Sequence, residues 1–463
     1  MPSIEHILQV LDKAHTGPIC TVSDWNYKVL PQAVSQKLEN YGLKKTCDTK
    51  NPINTDDELA NRFFKAGFEL AVELGLICQD TERVIKVTEE ELDEAIRNAP
   101  SELALGKGRD AVVLKQRKPE DKLQPLSFSP MGHLISEDIW VRLVQGIAQQ
   151  HEIDGLRSPI INTIFGRPAL ADSPYETLAG RYEAQLTKEA LWRAGRPGMN
   201  TQSVASSPTA YGLFGGYGIP GGFDPEATLV TILCPGELTT TYSTLHKVVH
   251  TINCGGKFSS GTASMIGGYP GPPEGAALAQ ISNILLQYAV HKPDCHLCEI
   301  LDVRYSGSCG REGQWAESVA VQAISRNTHF LSRGVVNQVG GPCTEMLLYE
   351  SAVAMLNLSS SGVASTLGPR TSGTKYADHI TPLECKFCAE VIKRSAGMTR
   401  KKANEVVKML IPKYESMLWH PPVGKSFREC YDIKTLTPTQ EWLDIYLKVK
   451  RELIELGVPL EYP

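Results

Sequence analysis

Apolar residues recur at helical spacing through the first part of the chain. The segment 58–76 carries apolar side chains among Lys and Glu. Thr88 and Glu91 have the spacing of a capping box, which predicts that a helix begins near residue 89. We therefore expect an N-terminal helical layer over residues 1–120. Its first helix would place four apolar residues on one face: Ile4, Ile7, Leu8 and Leu11.

From about residue 125, short β-prone runs alternate with helical stretches. The segment after the third predicted strand, SSPTAYGLFGGYGIPGGFDP, is too rich in Gly and Pro for a regular helix. Eight strands, mostly followed by helices, predict a (β/α)8 TIM barrel over residues 121–396, with a doubly wound open sheet as the alternative. The predicted strands lie near 125–129, 157–164, 197–204, 228–234, 257–266, 296–303, 330–338 and 361–366. The predicted helices lie near 136–150, 177–194, 240–253, 274–290, 314–328, 343–358 and 382–395.

The last part of the chain, residues 397–463, is again helical in pattern. Thr437-Pro438-Thr439-Gln440 has the form of a capping box with proline at the first helical position. We expect these C-terminal helices to pack on the barrel. One of them carries an apolar stripe of Ala403, Val406, Val407 and Leu410.

Composition excludes several classes of protein. The 463 residues include 47 basic and 52 acidic side chains, so the net charge of −5 argues against nucleic-acid binding through bulk positive charge. Charged residues interrupt every long apolar run, so no membrane span is predicted. The N-terminus lacks the pattern of a secretion signal, so we expect a cytoplasmic protein whose 12 cysteines are reduced thiols.

The segment GGYGIPGG places Gly216, Gly218 and Gly221 at the spacing of a dinucleotide-binding motif. That motif needs a helix N-terminus directly after it to hold the phosphates. Pro220 and further glycines stand where the helix would begin. We therefore interpret the segment as a mobile loop at the mouth of the barrel.

Two C-x-x-C pairs and one pair of histidines have spacings seen in metal sites. Cys295 and Cys298 lie in a predicted strand, where three-residue spacing turns the two side chains to opposite faces. His246 and His250 lie one helical turn apart without the glutamate of a zinc protease, which favours a solvent-facing helix surface. We predict no metal site. The second cysteine pair, in a predicted helix, is expected to pack as small apolar residues: Cys385 and Cys388.

Four aromatic residues fall within thirteen positions of the Gly-rich segment. They either fill the barrel mouth or pack in a contact between subunits, or they form an aromatic cage. Ring faces attract a quaternary ammonium by ~0.5–2 kcal/mol per contact, so a cage would bind such a substrate. The four residues are Tyr211, Phe214, Tyr217 and Phe223.

The motif GRPGM at 195–199 carries a specific likeness. With it the chain resembles the monomethylamine methyltransferases, corrinoid-dependent enzymes of methylotrophic methanogens. The likeness spans essentially the whole chain, and GPCTEM with the C-terminal run make chance an implausible explanation. The matching segments are FKAGFE (64–69), GRDAV (108–112), LISED (134–138), SPYE (173–176), GGY (267–269), GPCTEM (341–346) and GKSFRECYDIKTLTPT (424–439).

The resemblance implies a (β/α)8 barrel that transfers a methyl group from methylamine to the cobalt of a separate corrinoid protein. It also implies a homo-oligomer, with a hexamer expected. The chain has no D-x-H-x-x-G segment of a cobalamin carrier, so the corrinoid is expected to arrive on its cognate partner protein. A small methylated amine is the expected substrate, with no nucleic acid and no membrane as partners.

The chain departs from the family where pyrrolysine is expected, three residues after the Met of GRPGM. That position is Gln202, which has no electrophilic imine to capture an amine. Two family glutamates are also replaced, by Ala205 and Gly261. Either Gln202 is a substitute for an amber-encoded pyrrolysine, or this is a branch that works without it. The joint loss of both acidic partners favours the second explanation.

The sequence thus predicts a methyltransferase acting on a quaternary or other N-methylated compound. Gln202 and Gln338 are the predicted catalytic residues, fixing the polar end of the substrate. Arg304 would pair with a carboxylate if the substrate is betaine-like. The predicted cage residues Tyr211, Phe214 and Tyr217 would bind the ammonium. The alternatives are a true monomethylamine methyltransferase and a non-catalytic paralogue that binds a methylamine or a corrinoid protein.

Overall fold

Eight parallel strands form a closed barrel in the computed structural model, which describes residues 2–202 and 207–462. The sheet closes because β8 pairs with β1, with Ser365 opposite Leu126. This closure confirms the predicted (β/α)8 barrel and excludes the open sheet. The barrel strands are β1 (Leu126–Ser129), β2 (Gly155–Arg157), β3 (Asn200–Gln202), β4 (Thr228–Leu233), β5 (Lys257–Gly261), β6 (Cys295–Asp302), β7 (Ser332–Val335) and β8 (Ser365–Leu367).

A helix follows every strand of the barrel. The helix after β3 has only six residues, as expected from the glycines and prolines around it. The barrel helices are α1 (Glu137–Ala148), α2 (Pro174–Arg193), α3 (Tyr211–Gly216), α4 (Tyr242–Asn253), α5 (Pro273–Val290), α6 (Arg311–Asn327), α7 (Glu345–Ser361) and α8 (Pro382–Arg394).

Two predicted strands differ from the structure. The run predicted over 157–164 contributes to the barrel only up to Arg157, because Pro159 has no N–H for a continuing ladder. Beyond it, Thr163–Ile164 pairs with Arg167–Pro168 in a separate hairpin. The run predicted over 257–266 is divided into β5 and Ala263–Ile266, and both pieces pair with β6.

The N-terminal region packs helices against the outside of the barrel. Asp57–Leu74 packs on α5 and α6. The predicted capping box of Thr88 and Glu91 is present at the start of its helix. The helices are Ile4–Thr16, Val22–Asp24, the π-helix Trp25–Val29, Leu30–Asn40, Asp57–Leu74 and Glu89–Asn98. The short strands of this region are Leu76–Cys78, Arg83–Ile85, Glu102–Leu105 and Val112–Lys115. The first of them also pairs with Thr239–Thr240, which lies between β4 and α4.

The hairpin of Glu102–Leu105 and Val112–Lys115 closes the amino end of the barrel. Its inward side chains join an apolar cluster inside the barrel, and burying them keeps water out of this end. Polar side chains of the barrel interior therefore gather towards the carboxyl ends of the strands. The cluster includes Leu103, Leu105, Leu114, Phe128, Leu229, Leu297, Val335 and Leu367.

The C-terminal helices are Arg400–Leu410, Phe427–Cys430 and Gln440–Glu455. The predicted capping box over 437–440 is wrong in register, since Pro438 lies in a two-residue strand paired with Tyr431. Thr439 is the actual N-cap, and its side chain accepts from the backbone N–H of Trp442. No helix in the described part of the chain is long and apolar enough to cross a membrane. Single 3-10 turns occur at Gly108–Asp110, Thr371–Thr374, Ile411–Lys413 and Glu415–Met417.

Candidate active site

A layer of buried polar side chains lies above the apolar cluster inside the barrel. Side chains alternate between the two faces of a strand, so residues two apart share the interior face. A Cβ on Gly155 would meet the inward ring of Phe128, which places Arg157 on the interior face as well. The members of the layer come from six strands or the residues just after them: Arg157, Gln202, Ser259, Glu299, Arg333, Asn337 and Ser365.

Gln202 lies at the carboxyl end of β3 and is fully buried. Its Nε2 donates to Oδ1 of Asn200 at 3.1 Å. Its Oε1 accepts a hydrogen bond from Nη2 of Arg333. The amide is therefore held at both ends by the barrel and has the role of orienting Arg333.

Arg333, on β7, spans the interior below Gln202. Its Nη1 donates to Oγ of Ser259 at 3.1 Å and its Nε to Oγ of Ser365 at 3.3 Å. Its guanidinium carbon also lies 5.2 Å from the ring centre of Phe128, a cation–π contact. Burial lowers the pKa of Arg333, and hydrogen bonds from all three nitrogens offset that loss of hydration.

Arg157 lies beside Gln202, since the two residues are partners in the β2–β3 ladder. It is only 5% exposed. No residue in the described ranges accepts a hydrogen bond from its Nε or Nη1. The pKa of Arg157 is lowered to about 10, chiefly by burial and also by the charge of Arg333, while Glu299 and Glu183 oppose the change.

A chain of hydrogen bonds links the interior to the rim of the barrel. Nδ2 of Asn337 donates to Oε1 of Glu299 at 3.0 Å. Nη1 of Arg370 donates to Oδ1 of Asn337 at 2.8 Å. Asn337 thus positions the Glu299 carboxylate, which is the acidic group of this layer.

Gln338 points away from this interior. Its Nε2 donates to Oγ of Ser351 on α7 at 2.9 Å, and its Oε1 accepts from the backbone N–H of Arg370 at 2.9 Å. Among the described residues, Gln202 and Gln338 share no hydrogen-bond partner. The structure therefore brings Asn337, rather than its neighbour Gln338, to the inner face.

Arg304 follows β6 and is already paired. Its Nε donates to both oxygens of Asp302, at 2.8 and 3.0 Å, and its Nη2 pairs with Asp302 and Glu312. Hydrogen bonding to Asp302 raises the pKa of Arg304 above its ordinary range. Two carboxylates thus occupy the place that the sequence analysis gave to a substrate carboxylate.

The predicted cage residues do not surround one opening. Tyr217 is fully buried in an apolar cluster outside the barrel wall, among residues such as Val230 and Phe258. Phe214 packs edge-on against His250, with ring centres 4.9 Å apart. Tyr211 is 47% exposed. The cage fails to form because α3 folds against α2 and α4 rather than over the barrel mouth.

Of the two positions where the family resemblance implies a glutamate, the structure describes only Gly261. Ala205 lies outside the described residues. Gly261 ends β5, and a Cβ there would lie 2.5 Å from Cβ of Leu297. The Leu297 side chain thus fills the space that a larger residue at position 261 would need.

The cysteine and histidine pairs assemble no metal site in the part of the chain that the structure describes. Cys295 faces the inner cluster and Cys298 the outer one, which confirms the predicted opposite orientation. His250 was expected to face solvent, but its Nε2 contacts the carbonyl of Tyr217 at 3.2 Å. All 12 cysteines are free.

A closed parallel barrel with buried ions and amides at the carboxyl ends of its strands defines a barrel enzyme whose site lies at that end. The family model for monomethylamine methyltransferase MtmB matches residues 5–458. Among curated relatives, MtmB3 of Methanosarcina barkeri is 32% identical over 449 residues, covering 96% of this chain and 97% of the relative. MtmB of Methanosarcina mazei is 31% identical with the same coverage. The chain belongs to the monomethylamine methyltransferase family and is a methyltransferase.

Solved structures agree with this assignment. The crystal structure of the Methanosarcina barkeri monomethylamine methyltransferase superposes with a TM-score of 0.94 at 30% identity, covering 98% of each chain. A hydroxylamine complex of MtmB superposes equally well. The described fold is therefore that of the family over nearly the whole chain.

Proposed function

We propose that this methyltransferase moves a methyl group from a quaternary or other N-methylated amine to cobalt(I) of a corrinoid protein. The corrinoid is a substrate in this account, since it accepts the methyl group and leaves with it. The observation that carries the proposal is the state of Gln202. It stands where the family resemblance implies an electrophilic residue, and its amide is held between Asn200 and Arg333.

The reaction is a displacement at the methyl carbon. The cobalt–carbon bond forms with the electron pair of cobalt(I), and the carbon–nitrogen bond breaks with its pair remaining on nitrogen. A primary amine is a poor leaving group and needs activation. A quaternary ammonium leaves as a neutral tertiary amine, so its transfer needs no covalent helper.

The interior of the barrel supports a binding and orienting role. Its polar layer contains guanidinium, carboxylate, amide and hydroxyl groups. Such groups hold a substrate with its methyl carbon in line for attack and exclude water from the reacting atoms. The closure of the space at Gly261 by Leu297 also supports an interior rebuilt for a substrate other than monomethylamine.

We further propose that the corrinoid arrives on its cognate partner protein at the barrel mouth, and that the chain works as a homo-oligomer. A cytoplasmic setting is supported by the free state of all 12 cysteines, because reducing compartments keep thiols unpaired.

Monomethylamine is the competing substrate, because the curated relatives cited above carry that name. That activity would require pyrrolysine at position 202. The codon decides the matter: UAG supports the competing function, whereas CAA or CAG excludes it. A non-catalytic binding role is the remaining alternative.

The test is a panel of methyl donors mixed with the protein and cobalt(I) corrinoid under anaerobic conditions. The visible spectrum reports conversion to methyl-cobalt(III). The panel contains monomethylamine, tetramethylammonium, choline and glycine betaine. Conversion with an N-methylated donor other than monomethylamine supports the proposal. Conversion with monomethylamine but with no other donor, or the absence of conversion with every donor of the panel, overturns it.

A further inference from the structure

We infer that Arg157 binds the carboxylate of the methyl donor, so that the substrate is a zwitterionic N-methylated amino acid. The inference rests on the proposed function for the methyl transfer, but it has its own test in ligand binding. It begins from a buried arginine, two of whose nitrogens find no acceptor among residues 2–202 and 207–462.

Buried polar groups in folded proteins are nearly always hydrogen-bonded, because an unpaired one loses its hydration without compensation. Arg157 is 95% buried, and its Nε and Nη1 find no acceptor in the described part of the chain. Its position within the interior face of β2 directs it towards the barrel end where enzymes of this fold bind substrate.

Two other buried arginines show how this protein treats a structural guanidinium. Arg333 has an acceptor for each of its three nitrogens. Arg117, which is 2% exposed, donates from all three nitrogens to backbone carbonyl groups. Arg157 differs from both, and a ligand oxygen would supply what it lacks. Carboxylate is the matching group because guanidinium–carboxylate bonds are charge-assisted.

The charges around Arg157 bear on the rest of the ligand. Arg333 repels Arg157, whereas Glu299 and Glu183 attract it, and Glu299 lies with the two arginines in the polar layer inside the barrel. A simple cation such as tetramethylammonium would add a positive charge beside two arginines and leave Arg157 unpaired. A zwitterion would place its carboxylate on Arg157 and its methylated nitrogen on the side of Glu299.

Binding is measured by isothermal titration calorimetry on the full-length protein. The probes are sarcosine, N,N-dimethylglycine, glycine betaine and γ-butyrobetaine, with tetramethylammonium and choline as carboxylate-free controls. We expect at least one carboxylate probe to bind more tightly than both controls. The loss of a charge-assisted bond predicts about 10- to 100-fold weaker binding of that probe to Arg157→Met.

Arg157→Lys keeps the charge but loses the fork of donors, so its affinity is expected to fall between those of the wild type and Arg157→Met. Arg193→Met, on the exposed surface of α2, is the control and is expected to bind like the wild type. Equal binding of carboxylate and carboxylate-free probes, no binding of any carboxylate probe, or unchanged affinity in Arg157→Met would overturn the inference.

The two proposals fail in different ways. Methyl transfer only from carboxylate-free quaternary donors would overturn the carboxylate site and leave the proposed function intact. Binding of a betaine through Arg157 without methyl transfer from any donor would support the carboxylate site and contradict the proposed function.

Discussion

Arg157 and Arg117 are buried arginines in opposite hydrogen-bonding situations, and replacing each with methionine is expected to change stability in opposite directions. Burial lowers the pKa of both residues to about 10. A lowering of this size, at 1.36 kcal/mol per pKa unit, corresponds to a net cost of about 3 kcal/mol for each charged guanidinium. The hydrogen bonds, rather than the depth of burial, then distinguish the two sites.

For Arg117, four hydrogen bonds to backbone carbonyls offset the desolvation, with donor–acceptor distances from 2.6 to 3.0 Å. Methionine at this position would remove the donor from all four carbonyls, of which those of Ser359 and Val363 are buried. We expect a loss of about 3–5 kcal/mol. For Arg157, methionine removes a poorly compensated charge at similar volume, and we expect a gain of about 1–3 kcal/mol in the ligand-free protein.

The assay is thermal unfolding of the ligand-free proteins, followed by tryptophan fluorescence and by far-ultraviolet circular dichroism. The wild-type protein gives the reference unfolding temperature. A lower unfolding temperature for Arg117→Met and a higher one for Arg157→Met are the expected results. Equal destabilisation by both substitutions would refute the reasoning, because it would show that Arg157 is a structural residue with acceptors of its own.

Three further predictions concern the interior and the packing around it. Gln202→Leu removes the oxygen that accepts from Arg333 and should lower the free energy of unfolding by about 1–3 kcal/mol. Gln202→Glu keeps an acceptor and should not lower it. Equal melting temperatures for the two variants would contradict the contact. Gly261→Ala should lower the melting temperature because its Cβ would lie 2.5 Å from the Cβ of Leu297, and the double variant with Leu297→Gly, which removes that Cβ, should lose less stability than the two single variants together; additive losses would contradict the account. Burial raises the pKa of Glu350 to about 8, so the folded state holds its proton more tightly than the unfolded state. Holding this proton adds about 5 kcal/mol to the free energy of unfolding below pH 4.5, and that contribution is lost as the pH rises to about 8. Urea unfolding at a series of pH values gives the free energy of unfolding as a function of pH. For Glu350→Gln this free energy should lack the fall between pH 4.5 and about 8 that the wild type shows, and the same fall in both proteins would contradict the assignment.

The barrel was predictable because its signal is local and repeated. Seven of the eight predicted strands are followed by a change from β-prone to helical periodicity, and so many repeated units leave few alternatives. The errors arose where a backbone constraint interrupts a good pattern. Pro159 ends the ladder of β2, and the strand partner of Pro438 moves the start of the last helix to Gln440.

The interior was harder to predict because its contacts are long-range. Position 202 was identified from the family likeness, but its partner Arg333 lies 131 residues further along the chain. Arg157 could not be identified as a site residue from the sequence, since a single arginine beside a short apolar run gives no local signal. The period-two alternation of a barrel strand would have placed both arginines inside, once the strand limits were known.

The aromatic cluster shows the opposite error. Tyr211, Phe214 and Tyr217 are close in sequence, and closeness in sequence suggested one site. The rings of Tyr211 and Phe214 do meet edge-on, with centres 6.0 Å apart, but Tyr217 is buried in the packing between strand and helix while Tyr211 stays exposed. Aromatic density in a chain therefore identified a packing cluster here rather than a binding site.

The central claim is that this member of the family transfers methyl groups without an electrophile at position 202. The most direct measurement uses protein made from a gene with a glutamine codon at that position, mixed anaerobically with cobalt(I) corrinoid and a quaternary N-methylated donor. The account predicts methyl-cobalt(III) in the visible spectrum and one equivalent of the tertiary amine as product. No methyl-cobalt(III) from any quaternary donor, with or without a carboxylate, would contradict it.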